Sequence, residues 1–257
     1  VHRHLRRAGR DLATRGVGSA NLAIGIHTAT QDSTPMFAIV GQVPRPHRGH
    51  EAFQEIDQVG TIGRLAKWSA EPTSADEVPD VMAEATSQAL AGRPGPVLLS
   101  FAEDLLDDPA PMDARVSSGR PNPARPSDAD VGAVIELLAS ARRPVILAGG
   151  GVLRARTSTE LLRFAELLQV PVVAGWRRSD VISNDHPLFL GMAGLGAAPT
   201  VRERLAEADA MLVIGCRLSE ITSYEDAIPS SRTRWAHVDI APRDTHGVPA
   251  ELVVAAD

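Results

Sequence analysis

The sequence predicts an α/β fold with two doubly wound parallel-sheet domains, the first incomplete and the second Rossmann-like. Short apolar runs bounded by proline and glycine, such as residues 35–41 and 97–101, are typical of strands buried on both faces. In the second half, similar runs alternate with segments of helical periodicity, which indicates right-handed crossovers and a parallel sheet. A proline-rich stretch at residues 107–126 is the predicted linker between the two domains.

The composition limits the classes of function. A length of 257 residues suits two domains. The net charge of -6 leaves no broad basic surface for nucleic acid, and the sequence has no apolar run of the roughly 20 residues that a membrane span needs. Cys216 is the only cysteine, which excludes an intrachain disulfide and a cysteine-built metal site. We therefore expect a cytoplasmic protein that acts on a small molecule, with neither nucleic acid nor membrane as a partner.

The first domain is predicted to begin after an atypical segment. Residues 1–15 are rich in arginine and lack apolar periodicity, so we expect them to be disordered or displaced from the core. A glycine-rich turn at residues 16–21 then opens a buried helix, and the strand at 35–41 follows. Residues 74–90 have helical spacing, with acidic residues near the first turn. Residues 16–106 are thus interpreted as a partial domain.

The second domain covers residues 127–257. Its predicted helices are 128–141, 159–168 and 201–208, and its predicted strands are 144–148, 170–174, 211–215, 235–240 and 252–255. No helix is predicted after the last strand, so we expect the chain to be cut short.

Three glycine-rich segments in the second domain follow strands or precede a helix. They are residues 149–151, 191–196 and 215–217. Glycine turns at the carboxyl ends of strands let backbone amides approach phosphates, so together they indicate a nucleotide-like ligand, although each alone is equally typical of a tight turn. Asp239 is placed to accept hydrogen bonds from a ribose, or else to cap the next turn. The histidines lack metal-ligand spacing, and no metal site is predicted.

Several short motifs occur in a fixed order along the chain. In the first domain they are GVGSAN (16–21), DSTP (32–35), GQVP (41–44), AFQE (52–55) with Asp57, KW (67–68) and GRPGPV (92–97). In the second they are RPVI (143–146), GGG (149–151), DHP (185–187), GM (191–192), AD (208–209), GCR (215–217) and HVDI (237–240). The two sets resemble the pyrimidine-binding and central domains of the acetolactate synthase family, whose members depend on thiamine diphosphate.

The resemblance assigns roles to individual residues. The aminopyrimidine ring of thiamine diphosphate would be bordered by the turn that contains Thr14, Gly16, Gly18 and Asn21. The catalytic candidates are Gln54 as a polar contact and Phe53 and Lys67 as residues facing the substrate or cofactor channel. In members that hold FAD, the flavin would lie beside Gly149, Gly150, Gly151, Met192, Gly215, Arg217, Asp239 and Asp257.

The resemblance implies a carboligase or decarboxylase that acts on 2-oxo acids, in the branched-chain amino acid pathway, with chemistry supplied by the cofactor. The family's catalytic glutamate would precede Val1, and the domain that binds Mg²⁺ and the diphosphate has no counterpart in this sequence. We therefore expect a fragment that is inactive alone, completed in a homo-oligomer or by a separately encoded third domain.

Departures from the family pattern leave alternatives open. Arg15 replaces a small residue beside the cofactor, and residues 174–178 depart from the segment that lines the flavin, so a flavin-free relative is an alternative. A non-catalytic nucleotide-binding or subunit-assembly module is the alternative from a different class. A dehydrogenase ranks last, because the glycine clusters lack the Gly-x-Gly-x-x-Gly spacing.

Overall fold

The computed structural model describes residues 9–109, 124–242 and 247–257. The chain divides into two compact units, Val1–Asn122 and Pro123–Asp257. Each described unit contains one sheet of parallel strands covered by helices, so the prediction of two parallel-sheet α/β domains is confirmed. Most of the predicted linker lies outside the described residues.

The N-terminal unit is built on a four-stranded sheet with the strand order β1-β2-β4-β3. Its elements are β1 (Gly9–Ala13), α1 (Gly16–Asp32), β2 (Met36–Gln42), β3 (Trp68–Ala70), α2 (Val78–Leu90) and β4 (Pro96–Ala102). The central strands β2 and β4 are the most apolar, because they are covered on both faces. Ile26 of α1 packs on one face of the sheet, and Ala85 of α2 packs on the other.

The expectation for residues 1–15 was wrong for Gly9–Ala13, which forms β1. This strand pairs in parallel with β2, from Gly9 opposite Met36 to Ala13 opposite Val40. Its first four residues are exposed, so backbone hydrogen bonds rather than side-chain burial hold the strand. A strand of this kind has no apolar periodicity, which is why the sequence does not reveal it. Residues 1–8 lie outside the described part of the chain.

The C-terminal unit is built on a six-stranded sheet with the strand order β10-β9-β8-β5-β6-β7. Its elements are α3 (Asp128–Ala139), β5 (Pro144–Ala148), α4 (Gly150–Ala155), α5 (Ser158–Leu168), β6 (Val172–Ala174), β7 (Phe189–Met192), α6 (Pro199–Ala206), β8 (Ala210–Ile214), α7 (Glu220–Ser223), β9 (Arg234–Asp239) and β10 (Leu252–Ala255). All eight predicted elements are present, with ends shifted by a few residues.

The alternation of side chains along β5 divides the core of this unit into two layers. Ile146 packs with Leu137 of α3 and Leu161 of α5 on one face. Leu147 packs with Leu205 of α6 on the other face, beside the fully buried Met211. Helices thus cover both faces, which is the doubly wound arrangement, and the loops at the carboxyl ends of the strands are left at one edge.

Candidate functional site

A cleft of about 420 Å³ lies at the carboxyl ends of β1, β2 and β4 in the N-terminal unit. It is lined by Thr14, Arg15, Gly41, Gln42, Phe53, Gln54, Phe101, Glu103 and Leu106. Three of the predicted site residues, Thr14, Phe53 and Gln54, therefore meet in one place. Thr14 is distant in the sequence from the adjacent Phe53 and Gln54, and the parallel sheet brings them together because its strands all end at this edge.

Close backbone contact fixes the loop that carries Phe53 and Gln54. The N–H of Gly16 donates a hydrogen bond of 3.0 Å to the carbonyl oxygen of Gln54. A Cβ atom on Gly16 would lie 2.8 Å from that same oxygen, so only glycine permits this approach. Gln54 itself has a φ of 63°, in the left-handed region. The glycine predicted to border the cofactor thus positions the loop that forms the cleft wall.

Two other predicted ring neighbours lie on α1 and do not line the cleft. Gly18 packs against the end of β1, where an added Cβ would lie 3.0 Å from Cγ2 of Thr14. Asn21 is in the second turn of α1 and is exposed. Gly18 therefore supports Thr14, and Asn21 is not among the residues that line the cleft.

Arg15, Gln42 and Glu103 also line the cleft, and the sequence analysis assigned no binding role to Gln42 or Glu103. Gln42 is buried, with its amide nitrogen donating to Ile56 O at 2.8 Å and its amide oxygen accepting from Val43 N at 2.9 Å. At the mouth, the guanidinium of Arg15 forms an ion pair with Glu103 and also donates to Phe53 O at 3.4 Å. Their positions in the sequence could have indicated a place in the cleft, because Gln42 ends the buried strand β2 and Glu103 directly follows the buried strand β4.

A second ion-pair network anchors the segment after β4. The Arg45 guanidinium contacts the carboxylates of Asp104 at 2.8 Å and Asp108 at 2.7 Å. The hydrogen bond that Asp104 accepts from the backbone N–H of Arg45 has the largest effect in lowering the pKa of Asp104. The hydrogen bond from the Arg45 guanidinium has the next largest effect. The hydrogen bond from Arg45 to Asp104 has the largest effect in raising the pKa of Arg45, and the hydrogen bond to Asp108 has the next largest. This network holds the backbone on which the neighbouring Glu103 is presented to the cleft.

The structure does not bring Lys67 to the cleft. Lys67 directly precedes β3 and so lies at the amino edge of the sheet, opposite the cleft. Its ammonium donates to the carbonyl oxygens of Gln88 at 2.5 Å and Ala91 at 2.7 Å, at the end of α2. Desolvation lowers the pKa of Lys67. A cation at a helix C-terminus satisfies carbonyl groups that have no partner within the helix.

The predicted flavin neighbours share the carboxyl edge of the six-stranded sheet. They follow or end β5 (Gly149, Gly150, Gly151), β7 (Met192), β8 (Gly215, Arg217), β9 (Asp239) and β10 (Asp257). The glycines allow main chain to pack on main chain. A Cβ atom on Gly149 would lie 2.4 Å from Cα of Cys216, and one on Gly151 would lie 2.6 Å from Cα of Gly215.

Charged groups surround this edge. Burial lowers the pKa of Arg154, an effect that nearby Asp257 opposes and nearby Arg178 reinforces. Burial raises the pKa of the Cys216 thiol to about 12, and Asp239 adds to this rise. The side chain of Arg178 lies over Gly150, where an added Cβ would be 2.9 Å from Nε. The edge thus combines close-packed glycines with cations, a combination suited to phosphate groups.

Two further properties concern the described ranges only. Within residues 9–109, 124–242 and 247–257, no group of three or more His, Cys, Asp or Glu side chains is placed to hold a metal ion. Over the same ranges, no helix has the length and apolar character that crossing a membrane requires.

Two family models match the chain. Residues 1–61 match the thiamine pyrophosphate enzyme N-terminal TPP binding domain, and residues 131–257 match the thiamine pyrophosphate enzyme central domain. The order of the two matches is that of the two structural units. The chain belongs to the thiamine pyrophosphate enzyme family. The resemblance read from the motifs is thereby confirmed, and the first match includes β1, which the sequence analysis had missed.

Several relatives are about one-third identical to this chain over the segments that match. A probable acetolactate synthase large subunit of Methanococcus aeolicus is 36% identical over 239 residues, 91% of this chain and 40% of the relative. That of Methanocaldococcus jannaschii is 34% identical over 257 residues, 97% of this chain and 44% of the relative. The acetolactate synthase large subunit of Parasynechococcus marenigrum is 32% identical, over 90% of this chain and 38% of the relative. The chain spans about two fifths of the length of these relatives.

Proposed function

We propose that this chain supplies the pyrimidine-binding domain, which includes β1 and Thr14 as well as the predicted residues 16–106, and the central domain, residues 127–257, of a thiamine-diphosphate-dependent carboligase or decarboxylase acting on 2-oxo acids. The observation that carries the proposal is the cleft in which Thr14, Phe53 and Gln54 meet. Its volume of about 420 Å³ leaves room for a planar ring and for a small substrate beside it. The names of the relatives, which are acetolactate synthase large subunits, support this substrate class.

The donor set of the cleft suits an aminopyrimidine. The aromatic side chains of Phe53 and Phe101 offer faces for a flat ring, and the Gln54 amide and Thr14 hydroxyl offer both donors and acceptors to its edge. Leu106 extends the apolar wall of the cleft. When bound, thiamine diphosphate supplies the electron sink for breaking the bond between the carboxyl and carbonyl carbons of a 2-oxo acid. The residues of this chain orient the ring for that role.

The first experiment is calorimetric titration of the chain with thiamine diphosphate and Mg²⁺. The test is repeated with a separately expressed third domain from a relative, because the resemblance assigns Mg²⁺ and the diphosphate to that domain. Asparagine in Gln54→Asn can adopt the positive φ of this position, but its shorter side chain moves the amide away from the ring. We therefore expect about fivefold weaker binding, which corresponds to the loss of one neutral hydrogen bond. Gln88→Asn, on α2 and away from the cleft, is the matched control with unchanged binding. A lack of thiamine diphosphate binding under both conditions would exclude the proposal.

Assembly with another chain is part of the proposal, as a homo-oligomer or with a separate third domain. Leu12, Phe53 and Leu106, near or on the cleft, are 79%, 76% and 73% exposed. Large apolar side chains grouped at a site are typical of surfaces that a partner covers. Size-exclusion chromatography with light scattering tests the homo-oligomer, and a monomer at micromolar concentration would exclude it.

We further propose that the central domain holds FAD along the carboxyl edge of its sheet. The close-packed Gly149 and Gly151 and the cations Arg178 and Arg217 support a diphosphate there. Denaturing the purified chain would release a flavin with its visible absorbance, and Arg217→Gln would lower the flavin content. A colourless chain that takes up no FAD on incubation would favour the flavin-free alternative. Binding of nucleotides with no response to thiamine diphosphate would instead favour a non-catalytic binding or assembly module.

A further inference from the structure

Arg15 occupies a position at the mouth of the cleft that no part of the proposed function uses. It lies between β1 and α1, and its side chain is 27% exposed. One guanidinium nitrogen contacts the Glu103 carboxylate, and another lies 3.4 Å from Phe53 O. The guanidinium is therefore held by the cleft wall on one side and by a carboxylate on the other.

Glu103 is a replaceable partner for this arginine. Its side chain is 62% exposed, and the ion pair with Arg15 joins a single pair of atoms. Exposed ion pairs of this kind contribute little to stability, because water competes with them. The neighbouring carboxylates of Asp104 and Asp108 are both engaged by Arg45, so neither is free to replace Glu103. A carboxylate from outside can exchange with Glu103 at small cost.

The surroundings of Arg15 favour an anion with a small apolar tail. The 17-residue helix α1 begins at the next residue and has no acidic side chain in its first turn, so its dipole adds positive potential. The planar guanidinium can donate two parallel hydrogen bonds to a carboxylate, whereas it donates only one to Glu103. Phe101 and Leu106 line the same cleft and offer apolar contact.

We propose that Arg15 is the residue that binds the carboxylate of a 2-oxo acid, and that Glu103 occupies the same place as an internal competitor in the free protein. This inference deepens the proposed function and rests on it for the identity of the substrate. It makes Arg15 and Glu103 specificity-determining residues with opposite effects on substrate affinity.

The test is a titration of the isotopically labelled chain with pyruvate, followed by NMR of the arginine side-chain Nε–H signals. The signal lost in Arg15→Gln identifies Arg15. We expect pyruvate to shift this signal, and Glu103→Gln to tighten binding by about two- to fivefold by removing the competitor. Arg15→Gln should abolish saturable binding, while Arg15→Lys, which keeps the charge but not the fork, should bind weakly. Glu251→Gln, which frees Arg234 in the other unit, is the matched control with unchanged affinity.

Several results would overturn the assignment. These are unchanged pyruvate binding in Arg15→Gln, weaker binding in Glu103→Gln, equal binding of the uncharged methyl ester of pyruvate, or tighter binding of inorganic phosphate than of pyruvate. The gain expected for Glu103→Gln keeps the test valid if Arg15→Gln fails to fold. A parallel titration with thiamine diphosphate separates the two proposals. Arg15-dependent pyruvate binding without cofactor binding would contradict the proposed cofactor alone, and the reverse would contradict the role of Arg15 alone.

Discussion

Replacing Gly149 by alanine should destabilise the C-terminal unit by a purely steric effect. Gly149 has a φ of -120°, which any L residue adopts, so backbone strain does not contribute. The new methyl group would lie 2.4 Å from Cα of Cys216 and 2.4 Å from the carbonyl oxygen of Gly215. Both are main-chain atoms, and no side-chain rotation can relieve the contact. Overpacking costs about 1–3 kcal/mol, and we expect the upper half of that range, about 2–3 kcal/mol.

Gly132→Ala is the matched control, with an effect of the opposite sign. Gly132 is exposed within α3, and an added Cβ meets nothing within 4 Å. Alanine in a helix interior is favoured over glycine by about 0.5–1 kcal/mol, so this variant should be more stable than the parent chain. The two variants should therefore differ by about 2.5–4 kcal/mol in the free energy of unfolding.

Urea denaturation followed by tryptophan fluorescence measures this difference. Trp235 is buried in the same unit and reports its unfolding. Linear extrapolation gives the free energy of unfolding for each variant. A Gly149→Ala midpoint equal to that of the parent chain would refute the argument, because it would mean that the turns after β5 and β8 are not packed main chain on main chain.

Further predictions concern other parts of the chain. Ser127→Ala removes one half of the capping box with Asp130, and should cost about 1 kcal/mol in urea denaturation; no loss would contradict the cap. The pKa of Asp104 is depressed below its ordinary value of 3.8, so the ionised group stabilises the fold above that pH, and the contribution is lost as the pH falls through the lower folded value. Asp104→Asn should therefore flatten the acid side of the stability–pH curve, and an unchanged slope would count against the network with Arg45. The pKa of the Cys216 thiol is about 12 through burial, so thiol reagents should label it at about pH 8 only after unfolding, and rapid labelling of the folded chain would show that the site is open.

The sequence was most informative where burial dictates the pattern. β2, β4, β5 and β8 are covered on both faces, so their continuous apolar runs are visible in the sequence. The exposed edge strand β1 was missed because main-chain pairing leaves no apolar signature, and the strands β3 and β7 were missed because three or four residues are too short to show a pattern. Motif resemblance brought Thr14, Phe53 and Gln54 into the predicted site, but it could not indicate that Lys67 would cap α2 at the opposite edge of the sheet.

The sequence alone determined the two-domain α/β organisation and the thiamine pyrophosphate enzyme family, because both depend on local order: apolar runs, glycine turns and motifs in a fixed succession. Only the tertiary structure decided which side chains share a cleft. The ion pair between Arg15 and Glu103 joins residues 88 positions apart in the chain. Arg15 follows β1 and Glu103 follows β4, and both strands end at the same edge of the parallel sheet. No local sequence pattern indicates which side chains will meet at that edge.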